Sequence, residues 1–189
     1  MASFGANYPC FAAIASEPEN ALPKYDPAKK VVIGKLVKAD LTVNLSAGEL
    51  FADDMLAESV NEFASGTIAM ETDDMEDTAA SVVYGSTITE GLLKDNKADA
   101  APTGGLAYYK KLMRSGNVVY KGYYYPKVKA ALGNDTAATK GSSITFGTTA
   151  TTFTVYACDN GDWRHTEVLD TEAAARAWVD SVLTSAESA

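Results

Sequence analysis

Residues 106–129 read LAYYKKLMRSGNVVYKGYYYPKVK, and this stretch decides the fold. Two aromatic-rich runs, Leu106–Met113 and Val118–Lys129, flank Arg114-Ser115-Gly116-Asn117. Gly116-Asn117 is a favoured turn pair, so the stretch is predicted to be an antiparallel hairpin. Tyr108, Tyr109, Tyr120, Tyr123, Tyr124 and Tyr125 crowd it. Successive residues of a strand point to opposite faces, so adjacent tyrosines are divided between the two sides of a sheet. One set is expected in the core. The other packs on something else: a subunit interface, a sugar platform, or ordinary cross-strand neighbours.

The same pattern recurs along the chain. Val31–Val37 reads as a buried strand, and Lys38–Leu45 continues it with apolar residues at Ala39, Leu41, Val43 and Leu45. Gly66–Thr72 resumes the alternation, and Ser142–Phe146 and Thr151–Cys158 read as further strands. Asp159-Asn160-Gly161 predicts a hairpin turn into Trp163–Leu169. Two helices are predicted. One is capped by Asp73-Asp74, carries Met75, Ala79, Val82 and Val83 on one side, and ends at Gly85; the other is capped by Asp170 and carries Ala174, Ala177, Trp178, Ser181 and Val182. Lys94–Gly105 is polar and loop-like, and residues 46–65 read as a long acidic loop. Seven or eight strands with two helices give a mainly β (α+β) fold: an antiparallel β-sandwich or barrel with one or two flanking α-helices. The expected division is an N-terminal arm at 1–30, a sandwich domain at 31–155 and a C-terminal hairpin and helix at 156–189. The arm holds four prolines and shows no periodicity, so Tyr8, Phe11 and Ile14 are expected to need a partner's surface.

At 189 residues and 47% hydrophobic content, the chain is long and apolar enough for one folded domain. A net charge of -9 argues against gripping nucleic acid. Charge is also sorted along the sequence. No Lys or Arg occurs from Ala39 to Leu93, which carries twelve acids, whereas Lys110–Cys158 holds seven cations against Asp135 alone. An acidic and a basic surface on one domain favour head-to-tail contact between copies, which builds rings or filaments. No run is long enough to span a membrane, and the apolar start lacks the positive region of a secretory signal. Synthesis in the cytoplasm is expected, which leaves the acceptor patterns at Asn44 and Asn134 without meaning.

Motifs for catalysis are weak. His165 is the only histidine, and no Gly-x-Ser-x-Gly elbow accompanies it. Asp73–Asp77 lacks the glycine and the terminal acid of a calcium loop, and Gly133–Ser142 has Lys-Gly where a phosphate loop needs Gly-Lys. Cys10 and Cys158 have no metal-type spacing and are expected reduced. No catalytic residue, cofactor or metal is expected.

Particular words in the chain resemble a known family. They are Asn7-Tyr8-Pro9, Ser16-Glu17-Pro18, Val31-Val32-Ile33-Gly34-Lys35, GELFADD at 48–54 with Leu56-Ala57-Glu58, Ser65-Gly66-Thr67, YYYPKVK at 123–129 and TKGSSITF at 139–146. In this order they resemble major tail proteins of long-tailed, non-contractile bacteriophages, over roughly residues 1–155. The resemblance implies a tail-tube sandwich whose copies close hexameric rings, stacked into a tube in the virion. DNA passes through the lumen without specific binding, and other tail proteins meet the tube ends. It also implies that the loop at 46–65 reaches the adjacent ring and that the N-terminal arm lies on a neighbouring subunit. The candidate interface residues are Tyr8, Phe11, Glu49, Phe51, Asp53, Asp54, Glu58, Lys110 and Lys111. The rival expectation is a β-sandwich carbohydrate-binding module using exposed tyrosines.

Overall fold

β7 (Thr103–Arg114) and β8 (Asn117–Leu132) form the predicted hairpin. It closes on Ser115 and Gly116, both left-handed at φ 50° and 83°, the geometry that suits a two-residue turn between twisted strands. The chain is described here by a computed structural model over residues 2–52, 55–133 and 147–184. The remaining strands are β1 (Ala2–Ser16), β2 (Lys24–Val32), β3 (Leu36–Ala52), β4 (Met55–Thr72), β5 (Thr87–Thr89), β6 (Leu92–Lys94), β9 (Thr149–Val155) and β10 (His165–Leu169). Helices α1 (Asp77–Tyr84) and α2 (Glu172–Val182) complete the fold. The antiparallel main sheet runs β2-β1-β7-β8-β9-β4-β3, with β10 on β8, while β5 and β6 pair separately.

The sheet curls over its larger core. β1 and β9 are separated by β7 and β8, roughly 14 Å in a flat sheet, yet the Phe11 and Phe153 ring centroids lie 6.2 Å apart. Leu106, Tyr108, Tyr125, Ile68, Met70 and Val155 fill the same concave side, and Val83 of α1 joins them. On the opposite face Tyr25, Tyr109 and Tyr124 pack with Ala175 and Val179 of α2. The fold class predicted from the sequence, a mainly β antiparallel sandwich with flanking helices, is the fold observed.

Several local expectations are corrected. The N-terminal arm is no arm: β1 lies between β2 and β7, and Phe11 is fully buried. Its period was hidden by register shifts at Ser3/Ala6 and Asn7/Cys10, where Gly5 and Tyr8 turn left-handed at φ 76° and 59°. Pro9 sits at the second shift, and its carbonyl accepts from Ile33 N at 2.9 Å. The single strand read across 31–45 breaks at Gly34, where φ is 146° and a Cβ would meet Asp74 O at 2.1 Å. Of the loop read at 46–65, residues 46–52 and 55–65 belong to β3 and β4, which pair with each other. The predicted pairing of 151–158 with 163–169 does not form, because β9 and β10 both pair with β8, over Val128–Leu132 and Tyr120–Tyr124. They run the same way along one edge, and the turn at 158–162 is an excursion between them. β10 and α2 thus belong to the main body. Thr171, not Asp170, caps α2, accepting from Ala174 N at 3.2 Å, and α1 begins at Asp77 after N-cap Glu76. The predicted strand at 142–146 lies outside the described residues.

Candidate assembly surface

β9 pairs with β4 only over Gly66–Thr72. Beyond it, β3 and β4 continue as a two-stranded ladder from Asn44↔Ser65 to Ala52↔Met55, about 30 Å of hairpin. No third strand flanks this arm among the described residues. Leu45 and Val60 on it are 57% and 51% exposed, and Glu49 and Glu62 are exposed too.

A bulge at the root explains how the arm is held. Asn44 faces Ser65 but Leu45 faces Phe63, so Ala64 is the extra residue on β4. An uninterrupted ladder would have kept Ala64 on the concave side with Gly66 and Ile68, and turned Phe63 out. With the bulge Phe63 joins the core face and stacks on Trp163, centroids 4.3 Å apart and planes 7° from parallel. Arg164 covers the Trp163 ring at 4.6 Å.

Register fixes which way the arm points. Moving from Thr72 to Gly66 along β4 follows β9 from Thr149 to Val155, and hence β8 from Leu132 toward its start. The arm therefore projects at the end of the sheet that carries the β7–β8 turn. Lys110 and Lys121 lie near that end as a directly opposed cross-strand pair. Like charges in that position repel, and aromatic faces hold them. Lys110 Nζ is 5.2 Å from the Tyr123 centroid and 5.8 Å from that of Tyr108, and Lys121 Nζ is 5.5 Å from Tyr123. The acidic arm and the basic hairpin, expected as an acidic and a basic surface, thus share one end, while Asp73, Asp74 and Glu76 sit beyond the other end of β4, ahead of Asp77 at the start of α1.

The candidate residues fall into separate places. Phe11 is core and offers no surface. Tyr8 is half-buried and committed within the chain: its hydroxyl donates to Asp180 at 3.2 Å and Arg176 lies 4.3 Å over its ring. Burial pushes the Tyr8 phenol up to about 12. Lys30 Nζ joins the same carboxylate at 2.7 Å, pinning α2 to β2. Lys111 points away from Lys110 and pairs with Glu172 at 3.2 Å, which also accepts from Tyr109 at 2.7 Å. The Tyr109 hydrogen bond, then Lys111, holds the Glu172 carboxyl below its usual range. Glu49, Phe51 and Glu58 belong to the arm's ladder, opposite Ser59, Leu56 and Leu50. Asp53 and Asp54 lie outside the described residues. Sequence reasoning missed Phe63, Trp163, Arg164 and Lys121. Only Lys121 carried a signal, its place in the basic stretch.

Four of the six hairpin tyrosines are buried, while Tyr120 and Tyr123 are half-buried. Tyr108 and Tyr125 are 1% exposed in the concave core, and Tyr109 and Tyr124 are 3% exposed beneath α2. The surface that receives the second set is the chain's own helix. His165 Nε2 lies 3.1 Å from Asp162 Oδ2, with its ring edge-on to Tyr124. Among the described residues no three His, Cys, Asp or Glu side chains gather as metal ligands. Cys10 and Cys158 are free and buried, and burial pushes their thiols up to about 12 and about 11. No protein-family model matches the sequence, and no curated protein matches it.

Proposed function

We propose that this chain is a structural subunit acting by self-assembly: the tube protein of a phage tail, with hexameric rings stacked into a conduit for DNA. The observation that carries the reading is the β3–β4 arm. An isolated two-stranded hairpin is marginal in water, and this one exposes Leu45 and Val60 on otherwise anionic backbone. Such an arm gains its stability from a surface that its own body does not supply. In a chain whose sequence resembles tail-tube proteins, that surface belongs to another copy. On this reading other tail proteins meet the tube ends. The chain's negative charge lets DNA slide through the lumen without the drag of cationic contacts.

Negative-stain electron microscopy of the purified chain is expected to reveal rings or tubes. Monomers at every concentration would overturn the proposal, and a monomer retained on polysaccharide would assign a binding module instead. Replacing residues 48–60 by Asn-Gly joins the paired Ala47 and Asn61 through a two-residue turn. That variant is expected to fold and to remain monomeric. Assembly is expected to slow as salt rises, since at about 0.15 M exposed charges are screened beyond roughly 8 Å.

A further inference from the structure

We infer that the Lys110–Lys121 patch receives the acidic β3–β4 arm of a second copy lying beside the first in the same orientation, within one ring, in place of the adjacent-ring contact that the family resemblance implies for residues 46–65. The inference rests on the self-assembly reading and names the surface that reading leaves open. Lys110 and Lys121 face each other across β7 and β8, sharing the Tyr123 ring. Neither makes an ion pair among the described residues, in contrast to Lys30, Lys111 and Lys127, each matched to a carboxylate of its own chain. Arg164, stacked on Trp163, adds a third cation close to Tyr123 that makes no ion pair among the described residues. Val168 lies on the same face opposite Lys121 and is 44% exposed.

The patch is cationic with an apolar neighbour; the arm is anionic with exposed Leu45 and Val60. Two forced-together ammonium groups gain most from a carboxylate that bridges them, which turns a repulsive pair into a three-charge contact. Among the described residues the chain's own arm does not do this. It leaves the body at Phe63 and stands clear, with Glu49 and Glu62 exposed. Geometry selects the neighbour. Arm and patch occupy the same end of the sheet, so end-to-end stacking in one polarity separates them, whereas side-by-side copies bring them level. The contact joins two different surfaces, as a ring requires.

The test uses two full-length variants, Lys110→Glu/Lys121→Glu and Glu49→Lys/Glu62→Lys, with circular dichroism as the control for folding. Glu49 and Glu62 are on opposite faces of the arm, so the second variant covers either docking face. Each variant alone is expected to associate roughly tenfold or more weakly than wild type, by sedimentation. Mixed in equal amounts they are expected to recover assembly, because every contact then pairs unlike charges. If the patch variant does not fold, Lys110→Gln/Lys121→Gln takes its place, with weakened association as the expected result. A wild type that assembles while the patch variants assemble equally well overturns this inference and leaves the self-assembly reading standing. A mixture that fails to recover overturns it too. A wild type that stays monomeric overturns both. Binding of a labelled oligonucleotide that is lost in the patch variant, with association unchanged, would assign the patch to phosphate and overturn the inference.

Discussion

Phe63 of β4 stacks face to face on Trp163, which lies in the segment between β9 and β10. One inserted residue, Ala64, makes this possible by turning Phe63 onto the concave side. The contact fixes the root of the arm to the body.

Phe63→Ala is expected to cost about 2 kcal/mol, a half-buried aromatic together with its stacking partner. Deleting Ala64 restores an even ladder and faces Phe63 outward, so it is expected to cost a similar amount. In both variants amide hydrogen exchange is expected to rise over 44–52 and 55–63 more than in β7 and β8. Uniform exchange across the sheet would contradict the anchoring role.

Gly122 makes room for α2. A Cβ there would lie 2.4 Å from two ring atoms of Trp178. Gly122→Ala is therefore expected to push α2 off the sheet and to destabilise the chain by about 2 kcal/mol. A shift in tryptophan fluorescence should accompany the loss, and an unchanged melting curve would refute it.

Residues 1–16 are expected to be indispensable for folding. β1 bridges β2 and β7, and Phe11 and Cys10 bury into opposite faces of the sheet. Truncation to residue 17 should give an unfolded chain by circular dichroism, and limited proteolysis of the intact monomer should spare this segment. A folded truncated body would refute the placement.

Stability is expected to fall at both pH extremes. Burial raises the Tyr8 and Tyr124 phenols from their ordinary 10.0 to about 12, and moves Tyr25, Tyr108, Tyr109 and Tyr125 in the same direction. The contribution of each is whole below pH 10.0, and that of Tyr8 and Tyr124 is lost as pH rises through about 12. Phenolate absorbance should therefore appear together with unfolding. The depressed Glu172 carboxyl acts at the acid end: its contribution is present above its ordinary 4.5 and disappears as pH falls below it. Glu172→Gln should flatten the acid limb and, by removing the charge that helps to raise the Tyr109 phenol, also soften the alkaline limb.

The sequence alone determined the class of fold, because strand alternation and turn chemistry are local. Tyr108 and Tyr109 must face opposite ways on any strand, and Arg114–Asn117 was legible as a hairpin turn, although its central pair is Ser115-Gly116 and not the Gly116-Asn117 read from the sequence. It also determined that residues 39–93 carry acids and no cations. Tertiary structure decided what shifts of register and long-range pairing control. Bulges at Gly5 and Tyr8 erased the period of β1, so a central strand looked like an arm. β9 and β10 share the edge of β8, although their sequence reads as a hairpin with each other. The bulge at Ala64 sends Phe63 to Trp163, a partner a hundred residues away in the chain. Whether acidic arm and basic patch lie at the same end was also beyond the sequence, because direction along a sheet is set by the whole succession of antiparallel neighbours from β4 through β9 to β8.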